Sequence, residues 1–367
     1  MSIARIALRS FRSYERASAE FGSAVTVITG PNGSGKTNLL EAAYFGCTGR
    51  SCRTSNEREV VRFGEETARV EAVVAVDGSE HELAVGFTPG QPKHMSVDGV
   101  PVDRLSDSPA RPLLGVFLPE RLELVKGAPA GRRAHLDQLV AGIWPSRAIS
   151  RREYSRALAQ RNALLLRVRA GVSTGDSLDA WDRELAVHGA ALTRDRAEAV
   201  AALEPNVAAL AEELGLPEPL GIRLRSAVDG LGEDEIVGWL AQRRQSDIDR
   251  GFTQSGPHRD DLVLSHGGRE LRSFGSQGQQ RAGLLALLLA EREVIADLRG
   301  RPPVMLLDDV FSELDSERRA RLISRVASGG QAIITATGWD HVPEQAREFV
   351  SHIELTPGTR VEELVAS

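Results

Sequence analysis

Residues 30–37 read Gly30-Pro-Asn-Gly-Ser-Gly-Lys-Thr37. The five residues before them, Val25-Thr-Val-Ile-Thr29, form a β-branched run of the kind that builds a buried strand. The residues after them carry Leu39, Leu40, Ala43 and Tyr44 at helical spacing. Strand, glycine-rich turn and helix in that order make a loop whose backbone N–H groups curl round phosphate oxygens at a helix N-terminus. In this pattern Lys36 reaches the terminal phosphates and the Thr37 hydroxyl ligates Mg²⁺. Lysine is scarce: of 45 basic residues only Lys36, Lys93 and Lys126 are lysines, and one of them stands where the loop requires it.

Working outward, a chain of 367 residues is too long for one ordinary core, so two compact units are expected. The balance of 41% hydrophobic and 26% charged residues belongs to a globular protein, not a disordered or fibrous one. No apolar run approaches the ~18 residues of a membrane-spanning helix. The N-terminal stretch alternates apolar and basic residues without a signal-peptide block, which predicts a cytoplasmic protein. Cys47 and Cys52 have no histidine nearby to complete a metal site and read as reduced thiols.

Residues 69–119 read as β-structure, with turns at Asp77-Gly78 and Asp98-Gly99. From Gly131 to about Leu214 the texture is Arg/Ala/Leu/Glu-rich with helical spacing, predicting two or three long amphipathic helices. Strand signals return after about residue 250. A helix is expected from Gln277 to Leu298, then a buried strand at Val304–Leu307, a helix at 316–327 and a strand at Ala332–Thr335. The expected organisation is a first lobe over 1–120, a helical arm over 121–250 and a second lobe over 251–367.

Two further motifs carry chemistry. Val304-Met-Leu-Leu-Asp308-Asp309 is a hydrophobic strand ending in acid, the way a phosphate-loop fold places a carboxylate on Mg²⁺. Thr37 and Asp308 are therefore the candidate metal residues. Asp309, one position on, is the candidate general base, and with Lys36 completes the candidate catalytic pair. Ser276-Gln-Gly278-Gln279 opens a helix about 30 residues earlier, where free N–H groups, a hydroxyl and the positive dipole end make an anion site.

Phosphate loop, long insertion, Ser-x-Gly-Gln helix, acidic strand and Ser312-Glu-Leu-Asp315 together are the layout of an ABC-type ATPase. The chain resembles the RecF family of bacterial recombination mediators, SMC-like members of that class. The resemblance rests on Leu8-Arg-Ser-Phe-Arg-Ser-Tyr14, residues 30–41, Gly49-Arg-Ser-Cys-Arg-Thr54, residues 119–127 and Arg161-Asn-Ala-Leu164. It rests further on Gly256-Pro-His-Arg-Asp-Asp-Leu262, residues 276–281 and residues 307–315. It implies an α/β fold: an ABC-type P-loop NTPase head, its lobes split and carrying an antiparallel β subdomain, plus an inserted α-helical arm. ATP and Mg²⁺ are the implied cofactors, with Gly30, Pro31, Asn32, Gly33, Ser34, Gly35, Lys36, Thr37 and Asn38 as ATP contacts. Ser276, Gly278 and Gln279 would act in trans on ATP held by a second copy.

The resemblance also implies a weak, DNA-dependent ATPase that dimerises on ATP and binds duplex DNA or single/double-strand junctions. Such proteins act in DNA repair, replication and the SOS response, with RecR and RecO as partners. A chromosome-organising SMC head and a transporter ATPase subunit are the alternatives. Three departures point to slow hydrolysis. Gly275 stands where leucine usually precedes the signature serine. Ala336-Thr337 stand where a switch histidine is expected, with His341 a few residues later. No clear glutamine occupies the loop before the arm.

The net charge of −6 argues mildly against nucleic acid. Locally the balance reverses: residues 120–170 hold eleven basic against four acidic residues. Arg132, Arg133, Arg151 and Arg152 are the DNA-binding candidates there, with Arg50 and Arg53 beyond the phosphate-loop helix. Arg5, Arg9, Arg12 and Arg16 form a further basic group. Arginine suits phosphate because its planar fork bonds two oxygens at once. His258 and Arg259 are candidates for structural coupling or a direct catalytic part.

Overall fold

The computed structural model describes residues 1–312 and 314–356, and of 361–365 the backbone only. Glu313 of the Ser312–Asp315 segment, and the Glu120 side chain, lie outside what is described. Packing divides the chain into two units: Met1–Leu122 with Glu213–Gly215 and Ile295–Ser367, and Glu123–Glu212 with Leu216–Val294. Residues 251–294, expected in one lobe with the acidic strand, pack instead with the inserted segment.

The strands in chain order are β1 (Ser2–Phe11), β2 (Tyr14–Glu20), β3 (Val25–Thr29), β4 (Ala68–Val76), β5 (Ser79–Phe87), β6 (His94–Val97), β7 (Val100–Pro101) and β8 (Leu114–Phe117) in the first unit. The second unit contributes β9 (Leu220–Arg225), β10 (Asp261–His266) and β11 (Arg269–Glu270). The first resumes with β12 (Val304–Leu307), β13 (Ala332–Ala336), β14 (Val350–Glu354) and β15 (Val361–Val365).

In the first unit, one sheet runs in the order β14-β3-β13-β12-β8 with every neighbouring pair parallel. Its inner strands are buried throughout and mostly apolar, as a parallel sheet covered on both faces demands. The other sheet runs β15-β2-β1-β4-β5-β6-β7 and is antiparallel from β2 to β7. Its turns at Asp77-Gly78 and Asp98-Gly99 have positive φ at both residues, the conformation that matches two-residue hairpins to strand twist. Alternation gives this sheet one apolar face. Ile3, Ile6, Leu8, Val70, Ala72 and Val85 join Leu39, Leu40 and Phe45 of the helix Lys36–Thr48 in one core.

The second unit holds the helices Pro129–Ile143, Ala148–Arg169, Asp179–Glu213 and Glu233–Arg250 and most of Gln277–Arg299. The predicted long helices are present. The insertion is not helical throughout, however, because β9, β10 and β11 form a three-stranded antiparallel sheet. Its packing is unusually ionic. Arg161, wholly buried, donates to Asp182 at 2.6 Å, Asp247 at 2.8 Å and the Thr253 hydroxyl at 2.7 Å. No helix among the described residues is long and apolar enough to cross a membrane.

Candidate phosphate and metal site

The loop 30–37 leaves β3 and enters the helix Lys36–Thr48. Two of its glycines are sterically required. A Cβ on Gly30 (φ 151°) would stand 2.5 Å from the Leu355 carbonyl oxygen, and one on Gly35 (φ 103°) would stand 2.6 Å from the Tyr14 hydroxyl. Both φ values also lie where L side chains are strained. The Lys36 ammonium donates to the carbonyls of Gly30 at 2.7 Å and Pro31 at 3.0 Å. Burial lowers its pKa, and the charges of Asp308 and Asp309 oppose that shift.

Strand order explains how residues 271 positions apart meet. β13 lies between β3 and β12, so the ends of all three strands sit side by side. The Thr37 hydroxyl lies 2.9 and 3.0 Å from the two carboxylate oxygens of Asp308. Lys36, Thr37, Asp308 and Asp309 thus converge at the C-terminal edge of a parallel sheet, where open α/β folds bind ligands.

A residue that sequence reading passed over completes this corner. Thr335, the penultimate residue of β13, donates its hydroxyl to Asp308 at 2.6 Å and accepts the Asp309 backbone N–H at 2.9 Å. One hydroxyl therefore fixes both acids. The only sequence signal for it was a threonine inside an apolar strand. Asp309 itself has φ 48°, a left-handed conformation that Asp tolerates better than most residues. His341 lies in the turn Trp339–His341, with Asp340 as its ion-pair neighbour at 4.0 Å.

The donor set suits Mg²⁺, which takes oxygen ligands from one or two carboxylates and fills the rest with phosphate and water. Ser34 Oγ and Asp309 Oδ1 are buried polar atoms without hydrogen-bond partners, as a site built to receive further polar groups would leave them. Among the described residues no cluster of three or more His, Cys, Asp or Glu side chains offers a rival metal site. Cys47 and Cys52 are free, and burial pushes both thiols up to about 12.

Asn38, at the start of the helix, donates to the Ser13 hydroxyl at 2.9 Å and borders an ionic network. Glu41, wholly buried, accepts both arms of the Arg12 fork at 2.9 and 2.8 Å, the Ser51 hydroxyl at 2.5 Å and Arg53 at 3.5 Å. Arg53 also donates to Asn38 at 3.1 Å. Arg53, half-buried, thereby ties down the loop after the phosphate-loop helix. Arg50 is exposed.

In the second unit, Ser276 and Gln279 cap their own helix reciprocally. The Gln279 side chain accepts the Ser276 N–H at 2.8 Å, and Ser276 Oγ accepts the Gln279 N–H at 3.3 Å. Ser276 and Gly278 remain exposed. Gln280 anchors the preceding turn through the carbonyls of Leu271, Arg272 and Gly275.

Arg132, expected at a DNA surface, is instead buried in an ion pair. It is 2% exposed, forks onto Asp261 at 2.6 and 3.0 Å and also donates to the Gly127 carbonyl at 2.8 Å. It cannot reach a phosphate without unfolding that pair. Arg133 is half-buried and donates to the Asp260 carbonyl at 2.8 Å. Arg151 and Arg152 are exposed, with Asp137 and Glu153 as their partners at 3.1 and 3.2 Å.

The Gly256–Leu262 segment is built into the same packing. Pro257 and Asp260 take the buried Arg196, at 2.7 and 2.9 Å. His258 sits between Tyr154 (2.8 Å at Nδ1) and the Thr253 carbonyl (3.0 Å at Nε2). Burial lowers its pKa to about 4, so at neutral pH Nε2–H donates to the carbonyl and Nδ1 accepts the tyrosine proton. Arg259 is exposed.

Residues 2–95 match the family described as the RecF/RecN/SMC N terminal domain. The chain is 36% identical over 361 residues to the DNA replication and repair protein RecF of Streptomyces avermitilis, covering 94% of this chain and 95% of that one. It is 37% identical over 364 residues to the protein of the same name from Acidothermus cellulolyticus, covering 96% and 98%. Among solved structures it is similar to the recombination mediator protein RecF-ATP in the RecFOR pathway, at 29% identity and a TM-score of 0.84, covering 97% and 96%. An Smc head bound to the C-winged helix domain of ScpA is similar in fold, with a TM-score of 0.62 at 16% identity over 100% and 98%.

Proposed function

The chain belongs to the RecF family, and from that premise we propose that it is an ATP-dependent DNA-binding switch of recombinational repair. The observation that carries the ATP half is the convergence of Lys36, Thr37, Asp308 and Asp309 on one strand edge, with Thr37 and Asp308 in direct hydrogen-bond contact. ATP supplies the γ-phosphate whose transfer to water is the reaction, and Mg²⁺ would be held by Thr37 and Asp308. Lys36, now bonded to two loop carbonyls, turns to neutralise phosphate charge. Asp309 orients the attacking water and accepts its proton, with its backbone fixed by Thr335.

Ser276, Gly278 and Gln279 present an exposed helix N-terminus that serves the phosphates of a second copy, so ATP drives dimerisation. Duplex or junction DNA is held through backbone phosphates, with Arg133, Arg151, Arg152, Arg50 and Arg53 as contacts. Hydrolysis is slow and releases DNA. RecR and RecO are the expected partners and the cytoplasm the expected compartment.

The test is DNA binding and sedimentation with ATP and with ADP, for the wild type, Lys36→Arg and Ser276→Arg. The reading expects a dimer and tight DNA binding with ATP only, both lost in the two variants. DNA affinity and dimer fraction that ignore nucleotide refute it.

A further inference from the structure

The antiparallel sheet of the first unit has one face on the phosphate-loop helix and the other in solvent. On the solvent face the register brings arginines together. Arg9 of β1 stands directly opposite Arg16 of β2 on one side and Arg69 of β4 on the other. All three are exposed. Arg5, four residues back on the same face of β1, is exposed as well and stands opposite Glu20. Arg69 is bonded to Glu71 at 2.7 Å. Among the described residues neither the Arg9 nor the Arg16 side chain has a hydrogen bond or ion pair.

Like charges placed directly opposite each other destabilise a sheet. Arg9 carries that cost on both sides. The row does not need cations for packing, because the apolar face of β1 is supplied by Ile3, Ile6 and Leu8. Beside the row the same face carries Ala7, with Ser18 opposite on β2 and Glu71, the partner of Arg69, opposite on β4. On the β2 side the small side chains let a rigid polyanion lie close to the backbone. Strands are about 4.8 Å apart, which spreads the three guanidinium groups across about 10 Å. A row of forked cations at that pitch fits consecutive phosphates of a nucleic-acid strand.

We propose that Arg9, Arg16 and Arg69, on the solvent face of the antiparallel sheet, form a phosphate-binding row for duplex DNA. It rests on the DNA-binding reading above and adds a surface in the ATP-site unit to the arginines of the inserted unit. The row reads no sequence, since it meets only backbone oxygens. Each phosphate contact contributes about 0.9 to the slope of log affinity against log salt.

The experiment measures binding of a fluorescent duplex, with ATP present, from low to moderate salt. It compares the wild type with Arg9→Gln and the double variant Arg9→Gln/Arg16→Gln. The salt slope is expected to fall by about one in the single variant and about two in the double. Fluorescent-ATP binding stays unchanged, and the unfolding midpoint stays level or rises as the repulsion is relieved. Wild-type slope and affinity in the double variant overturn the row while leaving the DNA reading intact. A lowered unfolding midpoint in Arg9→Gln overturns it too, by making the arginine structural. A wild type that binds no duplex in any nucleotide state removes the DNA reading and the row with it.

Discussion

Replacing Arg161 with methionine gives the sharpest test of how the inserted unit is held together. Methionine matches the length and packing of the arginine stem but removes its charge. Arg161 is wholly buried and serves two carboxylates. They are not equally exposed to the loss. Asp182 keeps Arg244 at 2.6 Å. Among the described residues Asp247 keeps only Gln254, through its backbone N–H at 3.1 Å and its side chain at 3.3 Å, and so becomes a buried anion without a cation. Breaking a buried pair from one side costs about 3–5 kcal/mol. For a unit of about 170 residues, each kcal/mol moves the midpoint by about 2–4 °C, which predicts a fall of about 10 °C. Trp144, Trp181 and Trp239 all lie in this unit and Trp339 in the other, so tryptophan fluorescence reports its melting. Adding Asp247→Asn to Arg161→Met should restore part of the loss, because a neutral amide is cheaper to bury than an unpaired carboxylate. A fall below about 3 °C, or no recovery in the double variant, refutes the assignment of Arg161 as the charge that Asp247 depends on.

Arg132→Ala removes the buried fork from Asp261 and leaves it to the exposed Arg225 at 3.0 Å, so it should cost about 3 kcal/mol, the low end for a broken buried pair. Arg151→Ala removes an exposed arginine whose partner Asp137 keeps Arg196 at 2.8 Å and should stay within about 1 kcal/mol; equal effects in chemical denaturation would contradict the burial contrast. Thr335→Val removes two hydrogen bonds at the acid pair. It should lower kcat about tenfold, equivalent to about 1.4 kcal/mol, with ATP affinity retained; loss of affinity without loss of kcat would mean that Thr335 serves binding alone. His258 binds its proton near pH 4 when folded but near pH 6.5 when unfolded. The stability this gap contributes, about 3 kcal/mol, is full above pH 6.5 and is lost as pH falls toward 4. His258→Gln should flatten that part of the stability profile, and an unchanged profile would show that another group titrates there.

The nucleotide corner was legible because its chemistry is local. A phosphate loop needs its glycines, lysine and threonine within eight residues, and a metal carboxylate needs only an apolar strand before it. What escaped were roles set by partners far away in sequence. Arg132 looks like part of a basic patch until Asp261, 129 residues on, takes its fork. Arg53 looks free until Glu41 is seen to hold it. Thr335 acquires its role only once β13 lies between the two functional strands. Charge counting along the chain could not separate Arg132 from Arg9, although one is buried and paired and the other is exposed among like charges. Of the small sheet β9–β11, the strand signal of β10 was legible, but β9 was missed because it is six residues long and its partner β10 follows some forty residues later.

The order of the strands also sets a timetable for synthesis. β3 carries the phosphate loop and leaves the ribosome among the first residues, yet both of its sheet neighbours, β13 and β14, are made about 300 residues later. The second unit is almost contiguous, from Glu123 to Val294, and can complete its fold while the chain is still growing. The nucleotide corner must therefore be finished last. A nascent chain that stops short of β13 would own an assembled insertion and an unbuilt phosphate loop, so competence for ATP arrives only once β13 and β14 have been made.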